Sequence, residues 1–230
     1  MHTPKFPHFA NFDAFIIRNE INASINSLKH NLSGRLLDVG CGRMPYKDEI
    51  LNSTTVTEYI GLDIENPIYN DDIFKPDVFW DGLKIPFEDN TFDSIILFEV
   101  LEHTDFPEQI ISECFRVLKP KGKLLFSVPF IFYYHDTPHD FNRYTFYKLK
   151  SMFEKNNFNI KTIFGYGNWN TTLAHFWALW IKRSALPKFI RFGLYLLSLP
   201  LYLLLYKKGI QNTTFKTLDI CIGHFGLVEK

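Results

Sequence analysis

The run Leu36-Leu37-Asp38-Val39-Gly40-Cys41-Gly42 constrains this chain more than any other feature, because an apolar stretch breaking into an acid and two spaced glycines reads as a buried strand entering a ligand-binding turn. Glycine lets backbone approach a ligand that a Cβ would repel, and the start of a following helix offers free N–H groups to anionic atoms. The pattern predicts a nucleotide-like cofactor. Further on, Tyr59-Ile60-Gly61-Leu62-Asp63 repeats the order of strand then acid, and an acid at a second strand end suits a ribose diol. The plainer readings are that Asp38 caps its own turn and that Asp63 is a loop acid. Two strands and two acids in this order favour the ligand.

The rest of the chain reads as an alternation. Strands are expected over residues 35–39, 58–62, 77–80, 94–98, 123–128 and 159–164, and helices over 45–51, 107–117 and 145–156. Such alternation means a parallel sheet with helices on both faces, whose ligands sit outside the carboxyl ends of the strands. A partly helical rhythm from Phe12 to Leu28 predicts an N-terminal helical cap within residues 1–33. Gly122 marks the break before the fifth strand, and 218–228 reads as a terminal strand. At 230 residues the chain suits one domain carrying a substantial insertion.

Composition removes several classes of function. With 25 basic and 25 acidic side chains the formal charge is +0, which argues against broad binding to nucleic acid. Cys41, Cys114 and Cys221 are widely spaced and odd in number, so neither a disulfide framework nor a zinc site is indicated. Residues 1–15 lack the basic end and apolar stretch of a secretory leader, and a cytoplasmic location is expected.

Downstream, Trp80-Asp81-Gly82-Leu83-Lys84-Ile85-Pro86-Phe87 is followed by Asp93-Ser94-Ile95-Ile96-Leu97-Phe98-Glu99-Val100-Leu101-Glu102-His103 and by Arg116-Val117-Leu118-Lys119-Pro120-Lys121-Gly122. In this order the segments resemble the class I S-adenosylmethionine-dependent methyltransferases, especially the small-molecule type with a Glu-His pair after the fourth strand. The resemblance covers roughly residues 34–165 and the last strand. It implies a Rossmann-like, doubly wound, seven-stranded α/β sheet, mostly parallel with an antiparallel last strand. It also implies S-adenosylmethionine as cofactor, with Gly40 and Gly42 flanking its methionine part, Asp63 on the ribose hydroxyls and Asp81 facing the adenine amino group. Asp38, Ile64, Gly82 and Leu83 complete the implied cofactor site, while Phe98 and Glu99 end the fourth strand beside it. Met44 stands where many members carry a third glycine, and Pro45 after it is expected to open the next helix. His103 is expected to orient its loop, next to a helix that Asp105 caps and Pro107 opens.

Acceptor chemistry is expected between Pro129 and Thr145. His135 and His139 have the unperturbed pKa for proton transfer at neutral pH, and Asp136 or Asp140 could orient them. His139 is the expected base, because His139-Asp140-Phe141 with Arg143-Tyr144-Thr145 resembles a segment of methyltransferases from surface-polysaccharide clusters. The alternative is an ordered lid, with an Asp140–Arg143 ion pair and Thr145 capping the next helix. No metal is expected there, since Pro138 breaks the helix that would set ligands four apart on one face. Phe130, Phe132, Tyr133 and Tyr134 suit stacking on a sugar, a contact to the sulfonium, or plain packing.

Residues 168–216 form an apolar helical insertion before the last strand. The uncharged stretch 192–206, flanked by Lys188, Arg191, Lys207 and Lys208, would span about 22 Å as a helix, short of the roughly 30 Å of a hydrocarbon core. Pro200 is expected to interrupt it. An interfacial element on the inner membrane face, a buried helix pair and a homodimer contact all fit. The function expected is O-methylation of a small or glycan acceptor, such as a lipid-linked sugar. A quinone or isoprenoid lipid acceptor, or a scaffold that binds cofactor without turnover, are the other readings.

Overall fold

The computed structural model describes residues 5–65, 75–209 and 220–230. Its centre is one seven-stranded sheet of β1 (Ser33–Val39), β2 (Thr55–Ile64), β3 (Val78–Trp80), β4 (Phe92–Phe98), β5 (Leu118–Pro129), β6 (Asn159–Tyr166) and β7 (Gly223–Glu229). The order across the sheet is β3-β2-β1-β4-β5-β7-β6. β1 pairs in parallel with β2 and β4, whereas β7 lies antiparallel between β5 and β6. The antiparallel last strand is as expected, although residues 218 and 219 of the expected range lie outside the described residues.

Both faces of the sheet are covered, which is why its central strands read as near-continuous apolar runs. Leu36, Ile96 and Leu125 face α1 (Phe15–Leu28), α5 (Trp169–Arg183) and α6 (Lys188–Gly209). Their chain neighbours Leu37, Leu97 and Leu124 face the opposite way, toward α3 (Pro107–Val117) and α4 (Phe146–Lys155). The period of two along each strand therefore separates two cores.

Several helix ends follow local chemistry. Pro107 opens α3 at its first position, and the Thr145 side chain caps α4 by accepting from Lys148 N–H. Other boundaries differ from the expected ones. Phe106 rather than Asp105 precedes α3, and no side chain caps it. α2 (Lys47–Ser53) starts two residues after Pro45, because Met44 turns into the left-handed region (φ 49°) and delays the helix. Gly122 does not separate a helix from β5. The strand already runs from Leu118, and Gly122 C=O accepts from Lys230 N–H at 3.0 Å.

The insertion differs most. α6 runs unbroken through Pro200 for 22 residues, about 33 Å. A proline inside a helix costs about 3 kcal/mol, which one packed face must offset. That face contains Tyr195 and Tyr202, both buried, whose rings pack on Phe12 with centroids 5.0 and 4.4 Å away. The stretch Lys188–Lys207 is long and apolar enough to cross a membrane by length and composition, so the shortness expected of the segment does not hold. Residues 210–216 lie outside the described residues.

Candidate active site

The turn after β1 is fixed by backbone geometry. Gly40 and Cys41 N–H groups both donate to Leu62 C=O, at 2.8 and 3.1 Å, tying the end of β1 to that of β2. Gly40 has φ 70°, and a Cβ there would lie 2.3 Å from a Val100 methyl. Only glycine fits. Gly42, at φ 52°, instead faces open space, since a Cβ there would meet nothing within 4 Å. Met44 folds its side chain inward, so that its sulfur and that of Cys41 cover Gly61 of β2. Cys41 is thus a buried filler in the turn.

Asp63 closes the turn. One carboxylate oxygen accepts Gly42 N–H and the other accepts Ile64 N–H, each at 2.7 Å. Asp81 makes a similar small turn by accepting Leu83 and Lys84 N–H groups at 2.8 and 2.9 Å, and these bonds lower its pKa. Ile64 and Leu83 expose apolar side chains beside these acids, with Gly82 against Ile64. Asp38 is buried within β1 and accepts a short hydrogen bond from Tyr59 OH on β2. Burial pushes its pKa up to about 7, with the Tyr59 bond pulling the other way.

Phe98 ends β4 against Tyr46 and Phe225, both with centroids 5.4 Å away. Glu99 follows in the left-handed region (φ 56°), and its buried Oε1 has no hydrogen-bond partner among the described residues. Burial raises its pKa to about 7, against the pull of the nearby Ser127 and Tyr166 hydroxyls and the Arg143 charge. Glu102 is fully buried, and among the described residues neither carboxyl oxygen has a hydrogen-bond partner. Its pKa is driven well up, first by burial and then by Glu99.

The loop after β5 folds back onto this end of the sheet. Phe141 and Asn142 N–H groups donate to Glu102 C=O, and Arg143 forks onto Asp140 at 2.5 and 2.8 Å. That pair holds the Asp140 carboxyl at about 2. The ion pair and the Thr145 cap are those of an ordered lid. His103 Nδ1 lies 2.7 Å from His139 C=O, so His103 does tie the two loops together. His139 itself is exposed, and among the described residues its ring makes no hydrogen bond. The rings that converge are His103 and His135, with centroids 4.7 Å apart. Sequence spacing gave no sign of this convergence, because the partners lie more than thirty residues apart.

A second feature had no local signal. A cavity of about 570 Å³ opens between the start of α1, the loop after β5 and the end of α5, lined by Arg18, Lys182, Arg183, Asp13, Phe132 and Tyr133. Three cations face one acid there, and Arg183 pairs with Asp13 at 2.7 Å while lying over the Tyr133 ring.

The strand ends suit S-adenosylmethionine on their own terms. The space beside Gly42, the Asp63 carboxylate and the exposed Ile64 and Leu83 provide room, an acceptor for hydroxyls and apolar cover for a base. Comparison with known proteins agrees. Residues 37–126 match the methyltransferase domain family. The chain is 31% identical over 128 residues to an uncharacterized protein of Methanocaldococcus jannaschii, a match covering 54% of this chain and 55% of that protein. It is 32% identical over 136 residues to a sterol 24-C-methyltransferase of Gibberella zeae (53% and 34% covered) and 29% identical over 104 residues to a ubiquinone biosynthesis O-methyltransferase of Nitrosococcus oceani (40% and 42%). The chain thus spans little more than half the length of these relatives at most. A SAM-dependent methyltransferase structure from Archaeoglobus fulgidus superposes with TM-score 0.60 at 16% identity, covering 96% of both chains.

Strand order, antiparallel last strand and the glycine turn with its acids define a class I methyltransferase fold. Residues 37–126 match a methyltransferase domain, and the chain as a whole has the fold of S-adenosylmethionine-dependent methyltransferases, whose cofactor the strand ends fit.

Proposed function

We propose that this protein O-methylates a small or glycan acceptor, with a lipid-linked sugar as the favoured kind. The observation that carries the reading is that the Gly42–Asp63 turn and a histidine-bearing lid both lie at the carboxyl end of the sheet, after β1, β2 and β5. In this reading the chain is one domain with an N-terminal cap over 1–33 and an acceptor-side insertion over 168–216. Asp38, Gly40 and Gly42 border the methionine part of the cofactor. Asp63 and Ile64 hold the ribose, Asp81, Gly82 and Leu83 the adenine, and Phe98 and Glu99 close the site from β4. When bound, S-adenosylmethionine supplies the methyl group. The protein's task is to align the acceptor oxygen within about 3 to 3.5 Å of that group and to take up its proton. His139 is the proposed base, exposed at the lid where an acceptor can reach it.

The basic cavity supports an acceptor with an anionic part, which Arg18, Lys182 and Arg183 would neutralise. The apolar side chains exposed on α5 and α6, among them Trp177, Trp180, Phe189 and Leu197, favour a lipid tail and peripheral contact with the inner membrane face. The same patch could instead seat a second copy of the chain. A quinone or other isoprenoid acceptor is the second reading, favoured by the likeness to the ubiquinone biosynthesis O-methyltransferase.

The test is S-adenosylhomocysteine release by the purified protein with sugar phosphates, lipid-linked sugars and quinols. His139→Gln should leave cofactor affinity intact and lower turnover about 100-fold or more if a base is needed. Equal turnover in mutant and parent would remove the base assignment. Tight cofactor binding with no release on any acceptor would leave the scaffold reading.

A further inference from the structure

We propose that Glu102, His103 and His135 bind a divalent transition-metal ion of the zinc type beside the methyl-transfer site. One ligand atom from each of the three lies within 4.8 Å of the other two. Ligands about 2.0 to 2.2 Å from a metal lie at most about 4.4 Å apart, so small side-chain rotations close the set.

Two independent observations point to a cation. The first is Glu102, whose side chain is 0% exposed and whose two oxygens make no hydrogen bond among the described residues. Burying an unpaired carboxylate is costly, and a bound cation supplies the missing countercharge.

The second is the state of the imidazoles. A carbonyl oxygen only accepts, so His103 Nδ1, 2.7 Å from His139 C=O, carries the proton. His135 Nδ1 faces Tyr133 C=O and the Asp140 carboxylate, both at 3.3 Å, and must carry its proton too. A neutral imidazole with its proton on Nδ1 has its lone pair on Nε2, the atom left to bind a metal. His103 Nε2 lies 3.7 Å from Glu102 Oε1 and 3.9 Å from Asp136 Oδ2. A lone pair facing two carboxyl groups is repelled unless a proton or a metal lies between them. Backbone and carboxylate acceptors on the far nitrogen are also the usual outer support of metal-binding histidine.

The charge balance agrees. Asp136 also reaches the cluster, with Oδ2 3.9 Å from His103 Nε2, while Arg143 is already held by Asp140. Two imidazoles and a carboxylate suit zinc, iron(II) or cobalt(II), and three protein ligands leave room for a further oxygen. An ion there would make a coordinated acceptor hydroxyl easier to deprotonate. Metal binding itself does not depend on which acceptor is methylated.

The test uses tag-free, chelator-stripped full-length protein titrated with Co²⁺ and Zn²⁺. The expected result is one ion per chain, seen by visible absorption for Co²⁺ and by calorimetry for Zn²⁺. His103→Gln, His135→Gln and Glu102→Gln should each lose at least tenfold in affinity, whereas His30→Gln, before the amino end of β1, should lose none. Should those variants not fold, the Co²⁺-loaded parent still decides, because two ligating imidazoles give two hyperfine-shifted, exchangeable N–H proton signals. Absence of saturable binding by the parent, undiminished binding in a folded histidine variant, or no such signals would overturn the site. The cluster would then be a set of packed polar side chains without an ion.

Discussion

Replacing Asp63 tests the turn and the cofactor site together. In the free protein its carboxylate accepts two backbone N–H groups at 2.7 Å, from Gly42 and Ile64. Hydrogen bonds to a charged group contribute about 1.5 to 3 kcal/mol when buried and less when water competes, and Asp63 is only half-buried. Asp63→Ala should therefore cost the free protein about 1 to 2 kcal/mol. The ribose hydroxyls would be a further charge-assisted pair, worth about 1.5 to 3 kcal/mol, or roughly 10- to 150-fold in affinity. Asp63→Asn keeps one acceptor oxygen and should fall between parent and Ala on both measures. Thermal melts without ligand and calorimetry with S-adenosylhomocysteine separate the two effects. A folded Asp63→Ala protein with parental affinity would refute the ribose assignment, and unchanged melting would refute the role in the turn.

Two other outcomes follow from burial and exposure. Burial holds the Glu20, Asp38 and Glu99 carboxyls at about 7, so the folded state keeps protons that the unfolded state has lost above about 4.5. Stability should fall as pH rises toward 7, by on the order of 3 kcal/mol at most for Asp38 alone. His175 and His224, buried with pKa values pushed down to about 4, act in the opposite sense below 6.5, so the fall should be steepest just above that pH. Urea unfolding that is flat or strengthening from pH 6.5 to 7.5 would count against it. On α6, Leu197 is 83% and Leu204 49% exposed, so Leu197→Glu with Leu204→Glu should leave the fold intact and weaken sedimentation with anionic liposomes. If the parent ignores liposomes and the variant loses only self-association, the patch is a dimer contact.

The sheet was legible because parallel strands covered on both faces must be apolar along their length, and the turns between them need glycine and acid at their exits. Leu36 to Gly42 and Tyr59 to Asp63 satisfy both demands within a few residues. Helix boundaries were less legible where a single conformation overrode a local rule. Left-handed Met44 delays α2, and α6 continues through Pro200 because one face is gripped by Tyr195 and Tyr202. The convergence of Glu102 and His103 with His135, and of Arg18 with Lys182 and Arg183, could not be read at all. Those groups meet only through loop return and helix packing across long stretches of chain, which leave no periodic trace.

The place of β7 has a consequence for how the chain can fold during synthesis. The last strand made lies between β5 and β6, so those two cannot pair with each other and each presents a bare edge until residues 223–229 have emerged. The N-terminal segment waits as well, since Tyr195 and Tyr202 hydrogen-bond to the carbonyls of Pro7 and Phe12 across about 190 residues. Contacts so distant in sequence form slowly, and open edges invite pairing with other chains. β3-β2-β1-β4-β5 is the part that can assemble first, and a ribosome-bound chain stopped short of residue 223 would be the species most prone to aggregate.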